Sequence, residues 1–198
     1  MQDKQLLSVI GGAALFIFAI PAFAVMSAPE GWYLEANGGS TTLTKKNYPG
    51  PSSSSGIGGN ANVGYKFMPY LAAEIGYSRY ANTNVKNDAD TTAGTDKHYS
   101  YDIALKGIVP IAASGVEAFA KLGGERVTSK MSISNSAAAA DIGLSSSQHS
   151  ATGLYWGLGA QYYFTPEFAV VGQWQQAQGD SSSGTLALLS LGLSAIVD

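Results

Sequence analysis

Residues 154–164 read Leu-Tyr-Trp-Gly-Leu-Gly-Ala-Gln-Tyr-Tyr-Phe, an alternation that strongly limits what this chain can fold into. Successive side chains of a β-strand point to opposite faces, so the segment predicts a strand with one apolar face. Its other face carries Gly157, Gly159 and Gln161, which are too small or too polar for a hydrophobic core. Such a strand suits a soluble sheet with one buried face, or a membrane barrel whose apolar face contacts lipid.

The amino terminus has the features of an export signal. Lys4 precedes an almost wholly apolar run over residues 6–20, and Ala22-Phe23-Ala24 forms a small-residue cleavage pattern. We therefore expect a signal peptide at 1–24 and a mature domain at 25–198 that begins at Val25. No later segment has enough continuous apolar residues to cross a membrane as a helix.

Seven other segments repeat the alternation, which gives eight strand candidates in total. They lie at about 32–42, 57–68, 70–80, 98–109, from 116 onward, 154–164, from 168 to about 175, and up to 197. Each has about the 9–11 residues that a tilted membrane strand needs. The fold class predicted is therefore all-β, an eight-stranded antiparallel up-and-down transmembrane β-barrel.

The lengths of the connections support the barrel over a sandwich. Tight turns at 68–70 and 165–167 contain proline, which cannot donate to a β-ladder. The connections at 44–56, 81–97, 129–151 and 179–184 are long and polar, and the serine- and alanine-rich runs, including 137–140, are expected to be mobile loops. Short turns on one side and long loops on the other are typical of outer-membrane barrels.

Aromatic residues favour the two ends of the predicted strands, as expected for belts at the two membrane interfaces. The residues predicted at the tight-turn end are Trp32, Phe67, Phe164 and Phe168, and those at the long-loop end are Tyr77, Tyr99, Tyr101, Trp156 and Trp174.

Composition excludes several classes of function. The chain has no cysteine, so it has neither a disulfide framework nor a thiolate metal site. Its net charge of -3 argues against nucleic-acid binding, which needs a basic face. Gly56-Ile57-Gly58-Gly59 opens a predicted strand instead of a helix, so it is not a phosphate-binding loop. Two histidines alone do not make a metal site, and we expect no cofactor.

The chain resembles the small outer-membrane barrel family that includes the OmpA and OmpX types. The resemblance rests on the opening Gly31-Trp32-Tyr33-Leu34-Glu35-Ala36-Asn37-Gly38-Gly39 and on the apolar alternation that ends at Val197. It implies a bacterial outer-membrane location, contact with outer-membrane lipid and lipopolysaccharide, and recognition of the last strand by the barrel-insertion machinery. That family closes with an aromatic residue, whereas here Val197 has the outward phase and Asp198 follows it.

Charged residues in the inward phase are expected to fill the lumen, because an eight-stranded barrel is only wide enough for side chains. They are Glu35, Lys66, Glu74, Asp102, Lys106, Glu117 and Lys121. Neighbouring strands should place Lys66 near Glu35 and Glu74, Lys106 near Glu74 and Glu117, and Asp102 near Lys121. These groups then form a closed network; a narrow water or ion path is the alternative.

His98 and His149 lie near the outer loops, a layout that resembles the lipid A deacylases. However, His149-Ser150-Ala151-Thr152 lacks the His-x-Ser order of that family, and a triad needs a base, a nucleophile and an orienting group in contact. We therefore expect no enzyme. The predicted function is a structural or adhesive surface role in which the outer loops carry any ligand binding. The alternatives are a narrow porin-like channel and, less favoured, a lipid A-modifying hydrolase.

Overall fold

The computed structural model describes residues 29–53, 55–111 and 114–197. The predicted signal peptide, 1–24, lies outside the described residues. The elements are β1 (Gly31–Thr44), β2 (Ser55–Met68), β3 (Leu71–Arg79), β4 (Thr83–Lys86), β5 (Thr92–Ile111), β6 (Val116–Ile133), α1 (Ser136–Asp141), β7 (Ser147–Tyr163), β8 (Phe168–Gln178) and β9 (Thr185–Val197).

Eight of the strands close into a ring in which every neighbouring pair is antiparallel. The order around the ring is β1, β2, β3, β5, β6, β7, β8 and β9, and β9 returns to pair with β1. Closure removes the open sheet edges that could not be satisfied in hydrocarbon. The fold is therefore the predicted eight-stranded up-and-down barrel.

Side chains alternate between the two faces of the wall as the sequence predicts. Large apolar residues point outward and remain uncovered by protein: Ile75 is 58% exposed, Leu158 53% and Leu191 65%. Their strand neighbours Glu74, Gly157 and Ser190 point inward and are buried. This distribution is inverted relative to a soluble protein and matches a wall that faces lipid.

The structure corrects the predicted loops. The 81–97 loop contains β4 and the start of β5, and β6 and β7 reduce the 129–151 loop to residues 134–146. Residues 137–140, predicted as a mobile loop, lie in α1. The Asn135 side chain caps this helix by accepting hydrogen bonds from the Ala137 and Ala138 amides. No helix in the described ranges is long and apolar enough to cross a membrane.

The interior contains apolar layers as well as polar ones, which the sequence analysis did not predict. One apolar cluster contains Tyr33, Ala72, Ile108, Phe119 and Val171. A second, nearer the long loops, contains Leu43, Tyr80, Val127, Ala177, Leu186 and Leu188. At the level of the second cluster the outward positions are polar, with Thr42 and Thr44 on β1 exposed. The polarity of the wall therefore reverses towards the outer end, where water surrounds the barrel.

Candidate functional site: the barrel interior and its outer mouth

Four charged side chains form a closed ring of ion pairs across the lumen. Lys121 Nζ lies 2.7 Å from Glu74 Oε2 and 3.3 Å from Glu35 Oε1. Lys106 Nζ lies 3.2 Å from Glu74 Oε1 and 3.3 Å from Glu35 Oε2. Each lysine therefore contacts both carboxylates, and each carboxylate contacts both lysines. We call these four residues the ion-pair ring.

Neutral side chains complete the coordination of the ion-pair ring. Tyr33 Oη donates a 2.6 Å hydrogen bond to Glu74, and the Asn37 and Asn62 amides donate to Glu35 at 2.8 and 3.1 Å. The Phe119 ring lies against both lysines, 4.2 Å from Lys106 Nζ and 5.3 Å from Lys121 Nζ. A buried charge is tolerated only when paired and hydrogen-bonded, and these contacts meet that requirement.

A second ion pair lies beside the ring. Lys66 Nζ is 3.1 Å from Glu117 Oε1, and the Gln161 amide donates a 2.7 Å hydrogen bond to the other oxygen of Glu117. Gln161 also accepts from Lys106 at 3.2 Å, which joins this pair to the ion-pair ring. All of these side chains are almost completely buried.

The predicted pairings were wrong in detail, although all seven predicted charges point inward and are buried. Lys66 contacts Glu117 instead of Glu35 and Glu74, and Lys106 contacts Glu35 and Glu74 instead of Glu74 and Glu117. The prediction assumed pairing between adjacent strands. Long lysine side chains instead reach across the narrow lumen, from β5 and β6 to β1.

Asp102 does not form the predicted ion pair with Lys121. Within the described residues neither it nor Glu125 lies within salt-bridge distance of a cation, and both are buried. The Asp102 carboxylate lies over Gly76, where a Cβ atom would approach its oxygens to 2.6 Å. Glu125 was not among the predicted lumen charges, although the alternation of the fifth strand through Glu117, Lys121 and Gly123 continues to it.

A small cavity lies beneath the ion-pair ring, and a layer of amide side chains lies above it. A cavity of about 10 Å³ lies between Tyr33, Lys66, Lys106 and Tyr163, which is room for about one water molecule. Above the ring, an amide layer links opposite walls: Asn60 donates to Gln175 at 3.1 Å, and Gln175 donates to Ser78 at 2.9 Å.

A third polar cluster ties the first outer loop to the wall. Lys46 Nζ lies 2.7 Å from Asp96 Oδ2, and Tyr48 Oη donates a 2.7 Å hydrogen bond to the same oxygen. Ser129 on β6 donates to the other oxygen at 2.7 Å. We call this cluster of Lys46, Tyr48, Asp96 and Ser129 the loop strap. Because a strand needs about 9–11 residues to cross the hydrocarbon core, the first part of the 20-residue β5, with Asp96, stands outside that core.

The environment of the loop strap shifts the pKa values of its members. Burial alone would raise the pKa of Asp96, but nearby His98 and the hydrogen bonds from Lys46, Ser129 and Tyr48 together lower it below 3.8. Burial and the hydrogen bond to Asp96 raise the pKa of Tyr48, so its hydroxyl stays a donor. Burial lowers the pKa of His98 to about 4, which leaves it neutral near pH 7.

The two histidines have different surroundings. Both lie opposite Ser129 in the sheet, but neither imidazole is hydrogen-bonded to a serine in the described residues. His98 is buried, with Nε2 3.3 Å from Tyr48 Oη and 3.4 Å from Thr83 Oγ1. His149 is exposed and lines the outer mouth, a polar depression of about 350 Å³ where the first, third and fourth outer loops meet. Among the described residues, no hydrogen bond joins a histidine ring to a serine hydroxyl, the contact that a nucleophile–base pair of the hydrolase type needs.

Aromatic side chains on the outer wall contact each other near both ends. Towards the tight turns, Trp32 packs edge-on against Tyr65 at 5.2 Å between ring centroids, and Phe164 stacks on Phe168 at 6.3 Å. Towards the long loops, the corresponding pairs are Tyr77–Tyr101 at 5.1 Å and Trp156–Trp174 at 4.7 Å. Phe67 and Tyr99 lie in the same two groups. Their assignment to membrane interfaces remains a prediction.

Comparison with known proteins agrees with this architecture. Residues 10–194 match the family described as the outer membrane protein beta-barrel domain. The chain belongs to this family. Membership places the barrel in the bacterial outer membrane, and it agrees with the outward apolar wall described above. No curated protein matches the sequence.

Three solved structures share the fold of this outer-membrane barrel. OprG from Pseudomonas aeruginosa aligns with a TM-score of 0.61 at 14% identity, over 87% of this chain and 100% of its own. Neisserial surface protein A aligns at 0.54 and 19%, over 84% and 97%. Ail of Yersinia pestis, in complex with the heparin analogue sucrose octasulfate, aligns at 0.53 and 15%, over 83% and 98%. At these identities the likeness establishes the fold alone.

Proposed function

We propose that this outer-membrane barrel is a non-conducting, non-enzymatic surface protein that displays its outer loops and strand ends for attachment. The observation that carries the closed state is the ion-pair ring, in which Lys106 and Lys121 each contact Glu35 and Glu74. The apolar cluster above the ring, with Leu186 and Leu188, removes the remaining route for ions. Two stacked layers of different chemistry then block the lumen.

Single-channel recording in planar bilayers tests the closed lumen. The wild-type barrel should show no conductance steps. Phe119→Ala and Lys121→Ala combined with Leu186→Ala and Leu188→Ala should conduct, because these changes remove side chains from both blocking layers. Phe164→Ala, which changes a lipid-facing phenylalanine, is the matched control and should remain silent. The shift in gel mobility on heating, typical of folded barrels, shows which variants are folded.

Conductance steps in the wild-type barrel would contradict the closed state and favour the narrow channel. The hydrolase alternative has a separate readout, the mass spectrum of lipid A from cells that produce the barrel. An altered acyl pattern in those cells, absent with an empty vector, would contradict the non-enzymatic assignment. We expect identical spectra, because neither imidazole is hydrogen-bonded to a serine in the described residues.

An open strand edge supports the attachment role. β7 pairs with β6 from Ser147 onward, but its pairing with β8 begins only at Tyr155. Residues 147–152 therefore present an edge on the β8 side, and Ser147, Gln148, His149 and Ser150 are all exposed. Unpaired strand edges accept strands from other chains. On the opposite side β4 is covered, because Lys86 N–H donates to the Pro51 carbonyl at 2.9 Å.

Cell attachment tests this surface. Lysines on an edge strand discourage strand addition, so Gln148→Lys with Ser150→Lys should reduce attachment of barrel-producing bacteria to host-cell monolayers by about tenfold. The matched control, Ser40→Lys with Thr42→Lys, adds the same charge to exposed positions of the fully paired β1. Equal attachment by the two variants would show that the β7 edge is not the adhesive surface. Heparin-coated plates, prompted by the Ail complex, are a second substrate for the same assay.

A further inference from the structure

Four cations point outward near the outer end of β3, β5 and β6. They are Arg79, Lys97, Arg126 and Lys130, and all four side chains are exposed. We call them the cationic patch. Every Asp and Glu in the strands points inward and is buried: Glu35, Glu74, Asp96, Asp102, Glu117 and Glu125. The outward wall of the described strands is therefore positively charged at this place and carries no acidic residue.

The register brings the four cations close together. Arg79 is opposite Tyr99 on β5, and Arg126 is opposite Tyr101 on the same strand. Lys97 lies on β5, two residues from Tyr99 on the loop side. The four cations therefore lie on the three adjacent strands β3, β5 and β6. Neighbouring strands are about 4.8 Å apart and residues rise about 3.4 Å, so the patch is about 14 Å tall, from Arg126 to Lys130.

The cations of the patch have no counter-ion within the described residues. Lys46, Lys66, Lys86, Lys106 and Lys121 each form an ion pair, whereas none of the four patch residues does. Lys97 and Lys130 are moreover directly opposite each other. Like charges at opposed positions destabilise a sheet, and an anion held between the two lysines would remove that cost.

The level of the patch relative to the membrane indicates which molecule supplies the anion. Tyr77, Tyr99 and Tyr101 form a cluster on the same outward face, with ring centroids 5.1–6.4 Å apart. Tyrosines favour the headgroup level of a membrane. Arg79 and Arg126 lie at the level of this cluster, and Lys97 and Lys130 lie on its loop side. The patch therefore lies beside the outer-leaflet headgroups, whereas a soluble polyanion would be expected at the loops or the mouth.

We propose that the cationic patch binds the phosphate groups of lipopolysaccharide in the outer leaflet. Arginine forms paired hydrogen bonds with phosphate and lysine supplies a point charge, so the patch offers both modes of contact. The bound lipid would orient the barrel in the leaflet and neutralise Lys97 and Lys130. This assignment does not depend on whether the lumen is closed.

Native mass spectrometry of the barrel released from neutral phosphatidylcholine nanodiscs tests the proposal. Wild-type protein should retain bisphosphorylated lipid A and should retain the dephosphorylated form at least about tenfold less. Lys97→Gln with Lys130→Gln should weaken retention of the bisphosphorylated form at least about tenfold, since it removes two charge-assisted contacts. Lys97→Arg with Lys130→Arg should preserve it.

The control removes two cations outside the patch, the exposed Lys45 and the partly exposed Lys86, and Lys45→Gln with Lys86→Gln should retain lipid A as the wild type does. Inorganic phosphate alone should not displace the lipid. Equal retention by the Lys97/Lys130 glutamine variant, or equal retention of dephosphorylated lipid A, would overturn the proposal. Displacement of the lipid by micromolar sucrose octasulfate would assign the patch to soluble sulfated saccharides instead. The heat-dependent gel shift shows that each variant is folded.

Discussion

At the scale of single residues, the interior combines strict alternation of charge with very close packing. Lys106 and Lys121 lie between two glutamates and against Phe119. Sequence parity predicted that these lysines point inward, because it depends only on the period of the strand. Their partners were not predictable in the same way, since a lysine side chain is long enough to reach several strands of a narrow ring.

Lys66→Met should destabilise the barrel much more than Lys45→Met. Lys66 is buried against Glu117, and removing one partner of a buried pair typically costs about 3–5 kcal/mol, less where water enters the lumen. Lys45 is an exposed loop residue. Urea unfolding in lipid vesicles, followed by tryptophan fluorescence, gives the two free energies. Equal losses would mean that the Lys66–Glu117 pair is not buried in the membrane-embedded protein.

Gly159→Ala should destabilise the barrel by about 1–3 kcal/mol, because it overpacks the interior. A Cβ atom at Gly159 would lie 2.4 Å from Phe119 Cζ and 2.6 Å from the Gly172 carbonyl oxygen. An added Cβ atom at Gly124 on β6 would have no heavy atom within 4 Å, so Gly124→Ala is the control for the effect of alanine itself. The same urea unfolding assay compares the two variants. An unchanged free energy of unfolding in Gly159→Ala would show that Phe119 moves freely away from the added methyl group.

At the scale of strands, the alternating pattern predicted structure well wherever lipid surrounds the wall. All eight ring strands were found, because lipid demands an apolar residue at every second position. β4, the outer ends of β5, β6 and β7, and α1 were missed. These parts stand outside the hydrocarbon core, where polar residues such as Ser132 and Ser150 occupy strand positions and the alternation no longer follows hydrophobicity.

Leu158→Arg tests the lipid-facing phase of β7. The side chain is exposed on the outward wall near the middle of the barrel, and an arginine at the bilayer midplane costs about 2–4 kcal/mol. Thr42→Arg, outward on β1 but at the polar level, should cost about 1 kcal/mol or less. Folding into vesicles by both variants with equal stability would contradict the assigned membrane level.

Acid should release the loop strap. The pKa of Asp96 in the folded barrel is below its ordinary 3.8, so its contribution is complete above that pH and is lost as the pH falls through the lower folded value. Hydrogen exchange of residues 45–53, corrected for intrinsic rates, should show protection at pH 5 and loss of protection near pH 2–3. In Asp96→Asn the exchange should be faster at pH 5 and nearly independent of pH. Protection that persists in this variant would show that other contacts hold the loop.

At the scale of the whole molecule, closure of the ring was predictable and the content of its interior only in part. The count of eight strands and the sorted turn lengths defined the topology before any register was known. The apolar cluster of Leu186 and Leu188 was not expected, because a lumen was assumed to be polar over its full height. In the outer part of the barrel, water instead of lipid surrounds the wall, so apolar side chains are buried inside the barrel as in a soluble protein.

The reversal of wall polarity fixes how deep the barrel sits in the membrane. On β9, Leu189 and Leu191 still face outward, whereas at the level just beyond them β1 turns Thr42 and Thr44 outward and β9 turns Leu188 and Leu186 inward. If the barrel moved inward by two residues, about 7 Å along the strand, Thr42 and Thr44 would enter hydrocarbon. If it moved outward by the same distance, Leu189 and Leu191 would be exposed to water. Each displacement costs free energy. A bilayer whose hydrocarbon thickness does not match the apolar band of the wall imposes this cost for as long as the barrel stays in it. The wall therefore selects the thickness of the membrane in which this barrel is most stable.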